Sequence, residues 1–133
     1  MRRIRILLAD DHTMICAGFQ KLLEPQYEVV GNVGDGRALL KAAVELKPDV
    51  VLVDVGMPLL NGLDAGRELK KIMPGVKLVF LTMNADVDVA GEAFKVGASA
   101  YLLKNAPAAE LLRAVHDVFR GKVVCRAANQ PGY

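Results

Sequence analysis

Five short apolar runs punctuate the chain: Ile4–Ala9, Val29–Val33, Val50–Val53, Leu78–Leu81 and Ala100–Leu103. Val and Ile are common in them, and each is short enough for a buried strand. Between the runs, apolar residues recur at helical spacing. Ile15, Phe19, Leu22 and Leu23 form one stripe. Leu39, Ala42, Ala43 and Leu46 form a second, with Asp35 placed to cap it. Leu63, Leu69 and Ile72 fit a third less cleanly, because glycines sit among them. Val89, Ala93 and Val96 form a fourth, and Leu111, Val115, Val118 and Phe119 a fifth. Pro48, Pro58, Pro74 and Pro107 fall at the joints, as a missing N–H and a fixed φ require. Gly97 follows the fourth stripe and is suited to an αL cap. Strand-like and helical stretches alternating in this way predict (βα)5, an α/β fold with a parallel sheet covered on both faces. Residues 121–133 show no clear periodicity. One domain is expected over residues 1–120, with 121–133 a tail or the start of a linker.

The size, 133 residues and 14.3 kDa, allows one domain rather than two. Apolar residues make up 53%, enough for a hydrophobic core, so wholesale disorder is excluded. The net charge of +2 does not suggest a nucleic-acid coat. Cys16 and Cys125 form neither a disulfide scaffold nor a metal knuckle. The opening MRRIRILLADD resembles a signal peptide only until its two aspartates, and no stretch approaches the roughly 18 apolar residues of a membrane span. A soluble, cytoplasmic domain is expected, with no membrane partner.

In open parallel sheets, chemistry gathers beyond the carboxyl ends of the strands. Asp10 and Asp11 end the first predicted strand, Asp54 the third, Thr82 the fourth and Lys104 the fifth. Three carboxylates brought close together stay ionised at neutral pH only beside a cation. An all-oxygen set with no histidine–cysteine pattern suits Mg²⁺. Lys104 adds a mobile positive charge at a wet strand end, and Thr82 a hydroxyl donor. Each has an ordinary explanation alone: a helix cap, a turn former, strand-end filler, a solvated lysine. Together, at matching ends of four strands, they indicate a site for a phosphoryl group. His12, beside the aspartates, is expected to pack and hydrogen-bond there rather than to catalyse. Cys16 reads as core filler within the first helix, and His116 as an exposed helix residue.

The ordered set ILLADDH, VVLVDVGMPLLNGLD, KLVFLTM and GASAYLLK resembles the receiver domain of two-component response regulators, from about Ile4 to Arg120. His12 and the run Gly97–Lys104 resemble the receivers of the LuxR-type subfamily, whose output domain is a helix-turn-helix DNA-binding module. The resemblance implies a flavodoxin-like (CheY-like) doubly wound five-stranded parallel sheet of order 2-1-3-4-5. It implies Asp54 as phosphoacceptor, and Asp10, Asp11, Asp54 and the backbone carbonyl of Gly56 as ligands of Mg²⁺. Thr82 and Lys104 are then the phosphoryl-contacting residues, and Thr82 and Tyr101 the switch, with Tyr101 turning inward on phosphorylation. Pro58 and Gly62 match the loop after the phosphorylation site. The implied function is a phosphorylation-activated signalling switch that takes its phosphoryl group from a histidine kinase. It is a phosphoacceptor with slow autodephosphorylation, not a dedicated enzyme.

Gly56, Met83 and Asn84 depart from the wider family and are expected to tune the lifetime of the phosphoryl group. Pro107 is placed to open the fifth helix at its first position, with Asn105 the substitute for an absent Ser or Thr cap. The kinase is expected to dock near the first helix, around Ile15, Phe19 and Gln20. A homodimer would form through the face of the fourth helix, fifth strand and fifth helix, or through the first-helix region. DNA would be reached only through an output domain absent from these 133 residues, which are expected to be a truncated regulator; the alternative is a stand-alone receiver acting by protein–protein interaction. A Mg²⁺-dependent aspartyl-phosphate phosphatase would need a second aspartate two residues after its nucleophile, where this chain has Gly56. A flavodoxin-like electron carrier would need a phosphate loop where Asp10-Asp11-His12 stand, and a degenerate receiver would lack the intact set.

Overall fold

The computed structural model describes residues 3–57, 61–83 and 86–125. Its strands are β1 (Arg5–Ala9), β2 (Glu28–Val33), β3 (Val50–Asp54), β4 (Lys77–Thr82), β5 (Ala100–Leu103) and β6 (Val124–Cys125). The helices are α1 (Thr13–Leu23), α2 (Gly36–Leu46), α3 (Gly62–Ile72), α4 (Val87–Lys95) and α5 (Ala108–Phe119). Every neighbouring strand pair is parallel, and the order is β2-β1-β3-β4-β5-β6. The first five strands follow the expected order. The sixth is an element that the pattern of apolar residues did not predict. Val124 and Cys125 lie opposite Ala100 and Tyr101 of β5, and the Val124 N–H donates to Ser99 O at 2.9 Å.

Alternation along each strand divides the core in two. Leu7, Ala9, Val51, Val53, Leu78 and Phe80 face α2, α3 and α4, where they meet Leu39, Ala43, Ala65, Leu69, Ala90 and Ala93. Ile6, Leu8, Val50, Leu52, Val79 and Leu81 face α1 and α5, meeting Leu23, Leu111, Val115 and Val118. Both faces are covered, so the strands are near-continuous apolar runs. Each fully buried Leu, Val or Phe contributes about 1.5–3 kcal/mol.

The helices end where their local chemistry dictates. Asp35 caps α2 by accepting from Ala38 N–H at 2.8 Å, as expected. Asn61 and Asp86 do the same for α3 and α4. Gly97, at φ +101°, closes α4: its N–H donates to Phe94 O and that of Ala98 to Ala93 O, the paired bonds of a Schellman turn. Pro107 stands just before α5 rather than at its first position, and α5 has no side-chain cap from Asn105 or any other residue. The irregular stripe of α3 also has its explanation. Gly62 and Gly66 are themselves buried, while Ile72 is half exposed. A Cβ on Gly66 would meet Phe80 Cζ at 2.6 Å, and one on Gly62 would meet Asp54 O at 2.2 Å. The helix approaches β3 and β4 through its glycines. Pro58 lies outside the described residues.

Candidate acidic site at the strand ends

Strand register assembles the site. Ala9 pairs with Val53, so Asp10 and Asp54 stand level on adjacent strands. Asp54 pairs with Leu81, and Thr82 with Leu103, which brings Thr82 and Lys104 to the same rim. The bonds continue past the strand ends and fix the loops: Asp10 N–H to Val33 O at 2.9 Å, Val55 N–H to Leu81 O at 3.0 Å, Lys104 N–H to Thr82 O at 2.8 Å. The absent Cβ of Gly62 lets the start of α3 close against the Asp54 carbonyl.

Asp10, Asp54 and Lys104 are the buried charged residues among those described. The Lys104 ammonium lies 2.7 Å from Asp10 Oδ2 and 3.1 Å from Asp54 Oδ2. Burial pulls its pKa down, but the two close carboxylates outweigh burial and hold it above the usual lysine value. The expectation of a mobile lysine at a wet strand end is therefore corrected: the side chain is 2% exposed and its charge is committed to two aspartates. Asp54 Oδ1 accepts from the Gly56 N–H at 3.1 Å. Asp11 is exposed beside them.

His12 folds over the cluster. Its Nδ1 lies 2.9 Å from Asp10 Oδ1, 3.2 Å from Asp11 Oδ1 and 4.0 Å from Asp54 Oδ2. The expected packing beside the acidic pair is present, at closer quarters than the sequence indicates. Cys16 was expected only to fill the core, yet its Sγ donates to Asp10 O at 3.3 Å. Burial first, then the Asp10 carboxylate, pushes the thiol pKa up. Its position six residues after Asp10, in the first turns of the helix leaving that strand, is the signal for this contact. A cleft of about 230 Å³ opens next to Cys16, between α1 and the β2–α2 loop, and is lined by Asp10, Asp11, Gln20 and Asn32 among others.

Asp10, Asp11, His12 and Asp54 each offer a ligand atom within 4.8 Å of the others. Asp10 Oδ2 is buried without a well-directed hydrogen bond, its close neighbour being the Lys104 ammonium. With that oxygen held by Lys104, the fit rests on the donor set: carboxylate oxygens of Asp10, Asp11 and Asp54 within 4.8 Å of one another suit a hard divalent cation.

Thr82 is half-buried at the end of β4, and Met83 after it is 55% exposed. A Cβ on Gly56 would stand 3.9 Å from Asp54 Oδ1, so any larger residue there would border that carboxylate. Asn84 lies outside the described residues. Tyr101 differs from expectation in its starting position. It is fully buried, in the cluster that includes Ala90, Ala93 and Ala98, so its ring is already inward.

The family model for the response regulator receiver domain matches residues 6–116. The chain belongs to this family. Receivers are signalling domains rather than dedicated enzymes. The transcriptional regulatory protein YxjL of Bacillus subtilis is 35% identical over 93% of this chain and 58% of its own length. The response regulator GacA of Pseudomonas viridiflava is 39% identical over 90% of this receiver and 56% of GacA. The receiver thus spans a little over half the length of these curated relatives. Among solved structures, a LuxR-family response regulator from Aurantimonas sp. SI85-9A1 superposes with a TM-score of 0.89 at 29% identity, covering 97% of this chain and 92% of that one. The receiver domain of the NarL response regulator from Mycobacterium tuberculosis gives 0.87 at 26% identity, covering 92% and 100%. The expected family and its LuxR-type branch are borne out. Among the described residues, no helix is long and apolar enough to cross a membrane.

Proposed function

We propose that this receiver accepts a phosphoryl group on Asp54 from a phosphohistidine of a partner kinase. The observation that carries this reading is the buried pair of carboxylates, Asp10 and Asp54, held by one buried lysine at the C-terminal edge of the sheet. Such a group is costly to bury and does nothing for a packed core that apolar residues would not do better.

Asp54 supplies the nucleophile. A carboxylate oxygen forms the new P–O bond as the P–N bond to the kinase histidine breaks, the electron pair leaving with the imidazole. No general base is required, because no proton is removed from the nucleophile. Asp10, Asp11, Asp54 and the Gly56 carbonyl would hold Mg²⁺, which supplies charge neutralisation between the aspartate and the incoming phosphoryl oxygens. Lys104 exchanges one of its carboxylate contacts for a phosphoryl oxygen, and the Thr82 hydroxyl donates to another. Met83 and Gly56 border the site, and with Asn84 they set how readily water removes the mark.

The signal leaves through Thr82 and Tyr101. With the ring already buried, the event at Tyr101 is a repacking against α4 and β6 rather than an outside-to-inside rotation. In a longer regulator this change would control a DNA-binding output module, by a shift of population between two packings. The kinase covers the strand ends, with α1 the docking surface through Ile15, Phe19 and Gln20. The cytoplasm is the compartment in which such a kinase domain is met.

Intact mass after incubation with a small phosphodonor and Mg²⁺ tests the proposal. One added phosphoryl group, absent in Asp54→Asn, is expected. Equal phosphorylation of Asp54→Asn would overturn the assignment of the acceptor.

A further inference from the structure

Lys70 belongs to the last turn of α3, where a lysine ordinarily meets the helix's own final carbonyls or extends into water. Its side chain reaches further. The nitrogen donates to Pro74 O at 2.7 Å and to Val76 O at 3.0 Å, both in the loop that leads to β4. The stem crosses the turn that closes α4. A Cβ on Gly97 would stand 3.0 Å from Lys70 Cε and 3.3 Å from its Cγ, so the side chain runs where glycine leaves room. Lysine is among the side chains with most rotamer freedom to lose. Here it is pinned at its tip and along its length.

The hydrogen bonds are those a neutral amine can make. An ammonium has three N–H donors; an amine has two, with a lone pair in the third direction. Lys70 meets two acceptors, and both are backbone carbonyls. The other cations of α3, Arg67 and Lys71, pair with Asp64 and Glu68, whereas Lys70 pairs with no carboxylate among the described residues. The charged group that acts on it is another cation, Lys77 at the start of β4. Burial first, then the Lys77 charge, pulls the Lys70 pKa below the ordinary lysine value. Desolvation and a neighbouring cation are the two means by which a lysine becomes a nucleophile.

We infer that Lys70 is an acylation site, its amine taking an activated acyl group from an acyl phosphate or an acyl thioester. The lone pair attacks the acyl carbon and a C–N bond forms. The C–O bond to phosphate, or the C–S bond to thiolate, breaks and the leaving group takes the electron pair. The proton lost by nitrogen passes to the leaving group or to water. The hydrogen bonds favour an acyl donor over an aldehyde or ketone. An amide keeps one N–H for one of the two loop carbonyls while staying uncharged, which ends the repulsion from Lys77. An imine keeps an N–H only by regaining the positive charge. Acylation thus turns a two-point clip into a one-point clip beside the α4–β5 turn, whose Ala98 shares a core cluster with Tyr101.

The test is acetylation of the full chain without an enzyme at about pH 8, below the ordinary lysine pKa. Acetyl phosphate is the donor in one arm and the acetyl thioester of N-acetylcysteamine in the other, with peptide mapping by mass spectrometry as the readout. Native Lys70 is expected to acetylate about fivefold faster than the exposed Lys41 and Lys122, and to lose that advantage in urea. The pH at which its rate reaches half of the maximum is expected to lie below that of Lys41. A lysine that served only as a clip would react more slowly than the exposed ones, because its nitrogen is engaged. Lys70 reacting no faster than Lys41 with either donor, or a pH midpoint that coincides with that of Lys41, would overturn the inference. Faster reaction with one donor alone would support it and assign the source of the acyl group.

Discussion

Lys104 is where charge and fold meet. Its ammonium stands between two buried carboxylates, so removing it leaves two like charges without a cation. Lys104→Ala is expected to cost about 3 kcal/mol at neutral pH, the low end for breaking a buried ion pair from one side. Asp54→Asn removes one of the two competing anions and leaves Lys104 with Asp10, so it should be neutral or stabilising. Urea unfolding of both variants measures the contrast, and equal destabilisation would contradict it. Because the Lys104 pKa is raised in the folded chain, its stabilising contribution is complete below the ordinary lysine value of about 10.4 and is lost only as pH rises through the higher folded value. Cys16 gives a second check. Buried, with its thiol pKa raised, it should resist iodoacetamide at pH 8 in the native state and react on unfolding, as followed by peptide mapping. The residues at the strand ends were legible in the sequence because the position of a polar residue after an apolar run is a local property. The burial of Lys104 was not, because it depends on which strands become neighbours, and the bond from Cys16 to Asp10 turns on how the first helix leaves β1.

At the scale of elements, the five apolar runs gave their strands to within a residue, since a strand buried on both faces is written as continuous hydrophobicity. The third helix was harder to see for a physical reason. Its buried face is built from Gly62, Ala65, Gly66 and Leu69, and glycine does not register as apolar although it is what the close approach needs. Gly66→Ala is expected to destabilise by about 1–3 kcal/mol, because the buried Phe80 ring has little room to yield. Gly62→Ala should cost more, since its Cβ meets backbone, and should also disturb Asp54. Thermal unfolding orders the two, and a Gly62→Ala variant as stable as the parent would show that the α3 start is not fixed by this contact. The sixth strand was illegible because two residues carry no period. It covers the β5 edge, so a chain ending at residue 120 exposes unpaired backbone there. Such a chain should self-associate more strongly than the full one at equal concentration, and sedimentation velocity distinguishes them.

For the whole molecule, the sheet holds a rigid acidic rim at one end, and the faces covered by α4, β5, β6 and α5 lie where a partner can sense it. The net charge of +2 is too small to steer a partner over long distances, so recognition rests on local shape. Beryllofluoride with Mg²⁺ should shift amide resonances of β5, α4 and β6 as well as those of the site. Shifts confined to the loops around Asp54 would mean that the change does not reach Tyr101. All of this depends on the chemical identity of the acceptor. An acyl phosphate is reduced by borohydride to an alcohol, which marks the residue that carried it. Peptide mapping after phosphorylation and borohydride treatment should find homoserine at position 54 and at no other aspartate. Reduction at Asp10 or Asp11, or an unmodified position 54 in a chain whose intact mass shows a phosphoryl group, would contradict the account.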